Sequence, residues 1–291
     1  MDLILQLLID ALLLGSFYAF MSLGFSLTWG VLGILNLAYG SFILLGSYLA
    51  YTLYLELGID PILSAPLSFV VGFLIGWLLQ RLLINRLMEY EPFMVLILTF
   101  GVDILLSHLL NLFFRADVRS IDVPYAEGSI FVGNLIISEV KLLVFFIALL
   151  LTLLLYLFLR FSWTGRAVRA VALDREGARL VGIDPSRIFL VTSGIGFGIA
   201  LSSGNLYGLL QGFTPFDGGL LTIKAFLVSI LGGLGRVESA LVGGMLLGIV
   251  EIFVSFYAGE SWRFFASLLI MIILLVVRPR GLMGGKYYGE I

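Results

Sequence analysis

The 291-residue chain has no cysteine, one histidine and few charged side chains, which make up 12% of its residues. The lack of cysteine excludes disulfide bonds, thiol catalysis and cysteine-based zinc sites. Because His108 is the single histidine, a histidine-based metal site or catalytic triad is not expected. We therefore predict no catalytic residue and no metal ligand. The net charge of −2 argues against a nucleic-acid partner.

The chain is instead rich in long apolar runs. Hydrophobic residues make up 60% of it and the mean hydropathy is +1.12, values that exclude an ordinary soluble domain. A bilayer core about 30 Å thick requires roughly 20 apolar residues per helix. We predict an all-α, polytopic membrane protein, a single transmembrane domain over 1–291 with about eight to nine transmembrane or re-entrant helices. The predicted segments are 3–28, 37–57, 61–84, 92–113, 140–160, 188–210, a short 222–234, 238–257 and 262–277.

Lysine and arginine predict the orientation, because cytoplasmic loops are enriched in them. With the N-terminus outside, the inner side holds 12 of the 17 basic residues. These are Arg81, Arg86, Arg160, Arg166, Arg169, Arg175, Arg179, Arg187, Arg236, Arg278, Arg280 and Lys286, and the outer side keeps Arg115, Arg119, Lys141, Lys224 and Arg263. We therefore predict a cytoplasmic loop at about 161–187, a cytoplasmic C-terminus, an external N-terminus and a small external loop at about 114–138.

The stretch RAVALDREGARLVGIDPSR, 169–187, places seven charges among nineteen residues. Its spacing predicts a short amphipathic helix over 170–182, with Arg175 and Arg179 on the polar face. The opposite face carries Ala170, Leu173, Gly177, Leu180 and Val181. Asp184 and Pro185 end this helix and start the next one. A loop that merely follows the positive-inside rule explains the arginines, whereas a docking protein partner also explains the small residues on the other face.

Two glycine-broken segments predict the transport path. GVLGILNLAYGSFILLG at 30–46 and GGLGRVESALVGGMLLG at 232–248 align at a constant offset. Broken helices in corresponding positions of two halves point to a translocation path, although chance similarity and close helix packing through glycine are the alternatives. The candidate path residues are Gly30, Gly33, Asn36, Ala38, Gly40, Gly232, Gly233 and Gly235.

Ionisable groups inside predicted spans are costly and are candidates for function. Asp103 and His108 lie on one span, where a proton relay and structural pairing with a neighbouring span are both open. Asp217 and Lys224 flank a predicted external turn, where they would meet a binding protein or mark the membrane interface.

Several motifs carry a family resemblance. EGARLVG resembles the EAA-type signature of ABC importer permeases at Glu176, Ala178 and Gly182, and departs from it at Gly177. GSFYAFMSLGFSLTWGVLGILNLAYGSFILLGSYLA at 15–50 resembles the first conserved block of branched-chain amino acid permeases of the LivH type. KAFLVSILGGLGRVESALVGGMLLGIVE at 224–251 resembles the second block, and RPRGLMG at 278–284 the tail.

The resemblance implies a permease subunit in the cell inner membrane that carries leucine, isoleucine and valine. It implies three kinds of partner: ABC ATPase subunits, a second related permease or a second copy of this chain, and an extracytoplasmic solute-binding protein. ATP and magnesium would bind the ATPases, with no cofactor in this chain. The residues implied in ATPase coupling are Ala170, Leu173, Glu176, Gly177, Ala178 and Gly182.

The absence of a G-x-x-x-x-G-K-[ST] motif agrees that ATP is bound elsewhere. Three alternatives remain open. The chain is a permease for another small solute, such as urea, an amide or a sugar; or it is a stand-alone proton-coupled carrier or channel that uses Asp103 and His108. An intramembrane enzyme is the third, and the sequence offers no nucleophile–base pair or metal cluster for it.

Overall fold

The computed structural model describes residues 2–88, 91–126, 128–233, 237–278 and 281–283. These residues are almost entirely helical. The helices are α1 (Asp2–Leu32), α2 (Tyr39–Leu57), α3 (Pro61–Leu79), α4 (Asn85–Met88), α5 (Pro92–Phe114), α6 (Glu139–Phe161), α7 (Trp163–Leu173), α8 (Arg175–Leu180), α9 (Pro185–Leu210), α10 (Gly218–Gly232), α11 (Val237–Ala258) and α12 (Arg263–Val277). A π-helical turn, Gln80–Ile84, joins α3 to α4. Short 3-10 turns lie at Pro124–Ala126 and Glu260–Trp262.

Within the described residues, seven helices are long and apolar enough to cross a membrane. The polytopic helical fold is thus confirmed, with α2 and the shorter α10 as additional helices. Pro61, Pro92 and Pro185 each occupy the first turn of a helix, where a missing N–H costs little. Asp184 caps α9 by accepting a hydrogen bond from the Ser186 N–H at 3.0 Å.

Helix α9 lies at the centre of the bundle and packs against α1, α2 and α3. It is rich in glycine and serine, and nearly all of its residues from Thr192 to Leu209 are buried. Small residues allow the backbones of neighbouring helices to approach closely. The backbones of α9 and α2 touch at Gly204 and Gly46, where an added methyl group would overlap carbonyl oxygens of the opposite helix.

The bundle has two ends, which we name after their loops. At the hairpin face, the Gln6 side chain of α1 donates a hydrogen bond to the Ile136 carbonyl at 2.8 Å. The C-terminus of α2 reaches the same end, where the Tyr54 hydroxyl donates to the Asp122 carbonyl at 3.1 Å. At the arginine face, α1 ends beside the loop that carries α7 and α8.

A two-stranded antiparallel hairpin lies in the loop predicted at 114–138. Its strands are β1 (Ser129–Val132) and β2 (Leu135–Ser138), in a register that pairs Ser129 with Ser138 and Val132 with Leu135. The turn is Gly133-Asn134, with Gly133 at a φ of 63°. The sequence analysis missed this hairpin, although a two-residue turn between short apolar runs is its usual signal.

Candidate functional site

The chain between α1 and α2 turns back into the bundle. Residues 33–36 are not helical, and α2 begins at Tyr39, whose hydroxyl donates a hydrogen bond to the Met21 carbonyl at 2.7 Å. Met21 lies eleven residues before the end of α1, which is about 16 Å along a helix. Helix α2 therefore starts inside the bundle and not at its surface. Non-helical backbone at such depth is tolerated where it is buried in protein or lines a cavity.

Side chains of neighbouring helices satisfy the backbone of this re-entrant segment. The Leu37 N–H donates to the Thr99 hydroxyl of α5 at 3.2 Å, and the Ala38 N–H donates to the Asn36 side-chain oxygen at 3.0 Å. The Thr222 hydroxyl of α10 accepts from the Gly40 N–H at 2.7 Å and lies 3.0 Å from the Leu37 carbonyl, to which it can donate. The segment is thus held in one conformation by α5 and α10. The sequence analysis missed Thr99 and Thr222, because a threonine in an apolar helix gives no distinctive pattern.

Helix α10 also begins inside the bundle, directly against the start of α2. A methyl group built at Gly40 would overlap the Gly218 carbonyl oxygen and lie 2.6 Å from the Thr222 nitrogen. The first turns of α2 and α10 are therefore in backbone contact. Transporters often place their substrate path where two helices that begin inside the membrane meet.

We expect Gly40→Ala to destabilise this junction. The added methyl group has no space, and overpacking of this kind costs about 1–3 kcal/mol. The matched control is Gly101→Ala in α5, where nothing lies within 4 Å of the new methyl group and alanine favours the helix. Thermal unfolding of the purified protein measures both variants, and equal melting temperatures would contradict the close packing.

The predicted path residues fall into two separate groups. Asn36, Ala38 and Gly40 lie together at the junction of α2 and α10. Gly30 and Gly33 lie at the arginine-face end of α1, and Gly33 ends that helix with a φ of 68°. Gly232 and Gly233 end α10, fourteen or more residues and so about 21 Å from its start. Gly235 lies outside the described residues.

Asp103 occupies the middle of α5, the twelfth of its 23 residues, and is partly exposed. Its carboxylate accepts a hydrogen bond from the Ser41 hydroxyl of α2 at 2.5 Å. His108, exposed on the same helix, has its Nδ1 3.0 Å from the Ile104 carbonyl one turn back, and its ring meets the edge of Phe216. Asp103 thus belongs to the junction, whereas His108 contacts only its own helix and that ring within the described residues.

A buried ion network ties α10 to three other helices. The Glu251 carboxylate of α11, with no exposed surface, lies 3.1 Å from Lys224 Nζ and 2.5 Å from Arg263 Nε. The Tyr18 hydroxyl of α1 donates to the same carboxylate at 2.6 Å and accepts from Lys224 at 2.8 Å. Expected in an external turn, Lys224 is instead buried inside the bundle, since the turn before α10 dips inward and brings Gly218 against Gly40.

The segment predicted as one helix over 170–182 is broken. Helix α7 ends at Leu173, Asp174 adopts an extended conformation, and α8 covers Arg175–Leu180. The Asp174 carboxylate accepts from the Glu176 N–H at 3.0 Å and so caps α8. The prediction of a continuous helix is wrong, because the charged periodicity hid an aspartate whose side chain competes for the backbone.

The predicted coupling residues have different environments. Ala178 is buried against its own chain, and Ala170 and Gly177 are half-buried. Glu176 is exposed, and Gly182 turns the chain with a φ of 84°. Several apolar side chains are exposed on this polar loop, and among them Leu173, Leu180 and Val181 are 81%, 88% and 75% exposed. Exposed apolar residues flanked by charges are typical of a protein-docking surface.

Arg175 is exposed, but its guanidinium reaches back to α1 and does not project outward as its helical phase predicted. Its Nη2 donates to the Leu32 carbonyl at 2.6 Å and to the Val31 carbonyl at 3.3 Å, both at the end of α1. Its guanidinium lies 5.1 Å from the Phe189 ring centroid on α9. A cation at a helix C-terminus compensates unpaired carbonyls and the helix dipole. The loop is thereby joined to the residue before Gly33, where the re-entrant segment begins.

Comparison with known proteins agrees with this architecture. The family described as "Branched-chain amino acid transport system / permease component" matches residues 7–277. The chain is 30% identical to the high-affinity branched-chain amino acid transport system permease protein LivH of Escherichia coli K12, over 96% of this chain and 95% of that protein. It is 31% identical to the permease protein BraD of Pseudomonas aeruginosa, with the same coverage of both chains.

A more distant relative is the permease protein LivM of Salmonella typhimurium, 26% identical over 94% of this chain and 69% of that protein. No solved structure matches the chain. The family match covers nearly the whole chain, and the interrupted helices and the exposed loop lie within it. This chain therefore belongs to the family of branched-chain amino acid transport system permease components.

Proposed function

We propose that the chain is the inner-membrane permease subunit of an ABC importer and provides the path for leucine, isoleucine and valine. The observation that carries this proposal is the exposed apolar surface of the α7–α8 loop in a chain of this permease family. Exposed leucine and valine side chains beside several arginines form a surface suited to a protein partner. A separate ATPase subunit that docks on this loop explains them.

The distribution of charge supports the orientation with the arginine face in the cytoplasm. Among the described basic residues, Arg160, Arg166, Arg169, Arg179 and Arg187 lie in or beside the α7–α8 loop. Arg115, Arg119 and Lys141 lie near the hairpin face. The positive-inside rule assigns the first group to the cytoplasm. The hairpin face then points outward, toward a solute-binding protein.

The mechanism that we propose requires three further subunit types. Two cytoplasmic ATPases bind ATP and magnesium and close on nucleotide binding, and the α7–α8 loop moves with them. A second permease subunit, of the LivM kind or a second copy of this chain, completes the path. Substrate affinity must differ between the outward- and inward-open states, since a ligand that binds both equally shifts neither. This chain itself performs no covalent chemistry.

Substrate class is tested by reconstituting the permease with its ATPases, its partner permease and the binding protein in lipid. We expect leucine to stimulate ATP hydrolysis and to accumulate in the vesicles, whereas urea and ribose do neither. Uptake that persists without ATP but collapses with the proton gradient would favour the proton-coupled carrier. Stimulation by urea or ribose alone would reassign the substrate.

Leu180→Glu tests the docking surface. We expect the charge to weaken ATPase binding about 30-fold, the usual effect of losing a central apolar contact of about 2 kcal/mol. The matched control is Leu57→Glu, equally apolar and 66% exposed, but at the hairpin face. Co-purification of the ATPase measures both variants. Gly182→Arg is a poorer probe, because its φ of 84° disfavours any side chain.

A further inference from the structure

The depth and environment of Asp103 single it out among the acidic residues of the bundle. Three carboxylates of the described residues lie more than a helical turn from the end of a candidate span: Asp10, Asp103 and Glu251. Asp10 pairs with Lys141 at 3.2 Å, and Glu251 pairs with Lys224 and Arg263. For Asp103, no lysine or arginine in the described ranges lies within 4 Å.

A charged group in the middle of a membrane helix requires a partner or an aqueous path. One oxygen of Asp103 accepts the hydrogen bond from Ser41 at 2.5 Å, which fixes the side chain toward α2 and leaves the other oxygen without a donor among the described residues. The carboxylate is partly exposed on the surface of this subunit. Within the described ranges, Asp103 therefore presents a carboxyl group that has no lysine or arginine partner.

The surroundings of Asp103 match the rest of an aliphatic amino acid. A narrow crevice lies one turn along α5, between α2, α3 and α9, with apolar walls from Phe42, Leu98, Val102 and Phe197. Asn36 and Thr99, which take part in the hydrogen bonds of the re-entrant segment, also line this crevice. Its volume of about 10 Å³ admits only one water. Entry of an apolar side chain therefore requires the junction to open.

We propose that Asp103, oriented by Ser41, binds the α-ammonium group of the substrate as it passes the middle of the membrane. The inference rests on the proposed function and adds a substrate-contacting residue to it. A free amino acid carries its ammonium group into the path, and a carboxylate at that depth replaces part of the lost hydration. The aliphatic side chain of the same molecule lies against the apolar crevice.

The first test compares Asp103→Asn with wild type in the complete reconstituted importer. We expect leucine uptake to fall about tenfold or more, as for loss of a charge-assisted hydrogen bond, while ATPase co-purification and hydrolysis stimulated by the binding protein are retained. Glu91→Gln is the control, since it removes the same charge from the exposed start of the same helix. Wild-type uptake of leucine tests the proposed function separately from the variant.

The second test uses the absence of native cysteine. A single cysteine introduced as Phe100→Cys reports the local charge, because Phe100 is 51% exposed and lies one helical turn from Asp103 on α5. We expect a cationic methanethiosulfonate to react about tenfold faster than an anionic one of similar size, with the preference lost in the Asp103→Asn background and leucine slowing the reaction.

Three outcomes overturn the inference. If Asp103→Asn carries leucine at the wild-type rate, the carboxylate does not contact substrate. If instead the variant fails to retain the second permease subunit, Asp103 is a partner for a cation across the subunit interface. Equal reaction of Phe100→Cys with both reagents would contradict a negative charge at this depth.

Discussion

Glu251→Gln is expected to prevent stable assembly of the helix bundle. Glu251 has no exposed surface and accepts hydrogen bonds or ion pairs from Tyr18, Lys224, Arg263 and Ser267. Removing its charge leaves the buried Lys224 without its ion-pair partner, while Arg263 keeps only Glu260 as an ion-pair partner among the described residues. Breaking a buried ion pair from one side costs about 3–5 kcal/mol, a large share of the stability of a typical protein. We expect low yield in the membrane and a large decrease in melting temperature.

Glu260→Gln is the matched control for this prediction. Glu260 binds the same arginine, with its Oε1 2.7 Å from Arg263 Nη1, but its side chain is 68% exposed. An exposed pair of this kind contributes about 1 kcal/mol or less. The variant should therefore melt close to wild type. If Glu251→Gln and Glu260→Gln behave alike, the network does not stabilise the bundle.

A second substitution distinguishes two causes of this destabilisation, an unpaired buried charge and lost packing. Adding Lys224→Met to Glu251→Gln removes the cation that Glu251 had compensated, so we expect part of the stability to return. The two residues share one network, and a double-mutant cycle measures their coupling. A double variant less stable than Glu251→Gln alone would indicate that the lysine packs or bonds independently of the glutamate.

The helix boundaries of this chain follow from local signals. Long apolar runs are sufficient for α5, α6 and α9, and proline marks where α3, α5 and α9 begin. The sequence does not show, however, how deep in the bundle a turn lies. The turn before α10 resembles an external loop by composition, yet Gly218 contacts Gly40 within the bundle. Only the contact between the first turns of α2 and α10 shows that both helices start inside the bundle.

The candidate site was predicted in part for a similar reason. Asparagine and glycine at 36 and 40 stand out in an apolar chain, so they were found from the sequence. Ser41 and Thr222 act through partners 62 and 182 residues away along the chain, and nothing in the sequence links those positions. Arg175 was assigned to the wrong face because one extended residue, Asp174, changes the helical phase of everything after it.

Arg175→Gln is expected to uncouple ATP hydrolysis from transport. Arg175 is the side chain of α8 that reaches α1, through hydrogen bonds to the Val31 and Leu32 carbonyls, next to Gly33 and the re-entrant segment. If the ATPases move the α7–α8 loop, this guanidinium transmits the movement to the junction of α2 and α10. Glutamine is too short and uncharged to hold both carbonyls and the Phe189 ring. Charge-assisted hydrogen bonds are worth about 1.5–3 kcal/mol, so we expect uptake to fall about tenfold or more.

The ratio of leucine transported to ATP hydrolysed in proteoliposomes measures this effect. Arg179→Gln is the control, because within the described residues the Arg179 side chain on the same helix makes no hydrogen bond or ion pair with α1. Arg175→Lys should restore part of the ratio, since an ammonium group still compensates the end of α1 but cannot form the planar contact with Phe189. Loss of ATPase binding in Arg175→Gln would assign the arginine to docking, and an unchanged ratio would mean that movement reaches the membrane path through other contacts of the loop. Helix α7 packs against α1, α6 and α9, and α9 starts directly after the loop at Pro185 and packs against α2.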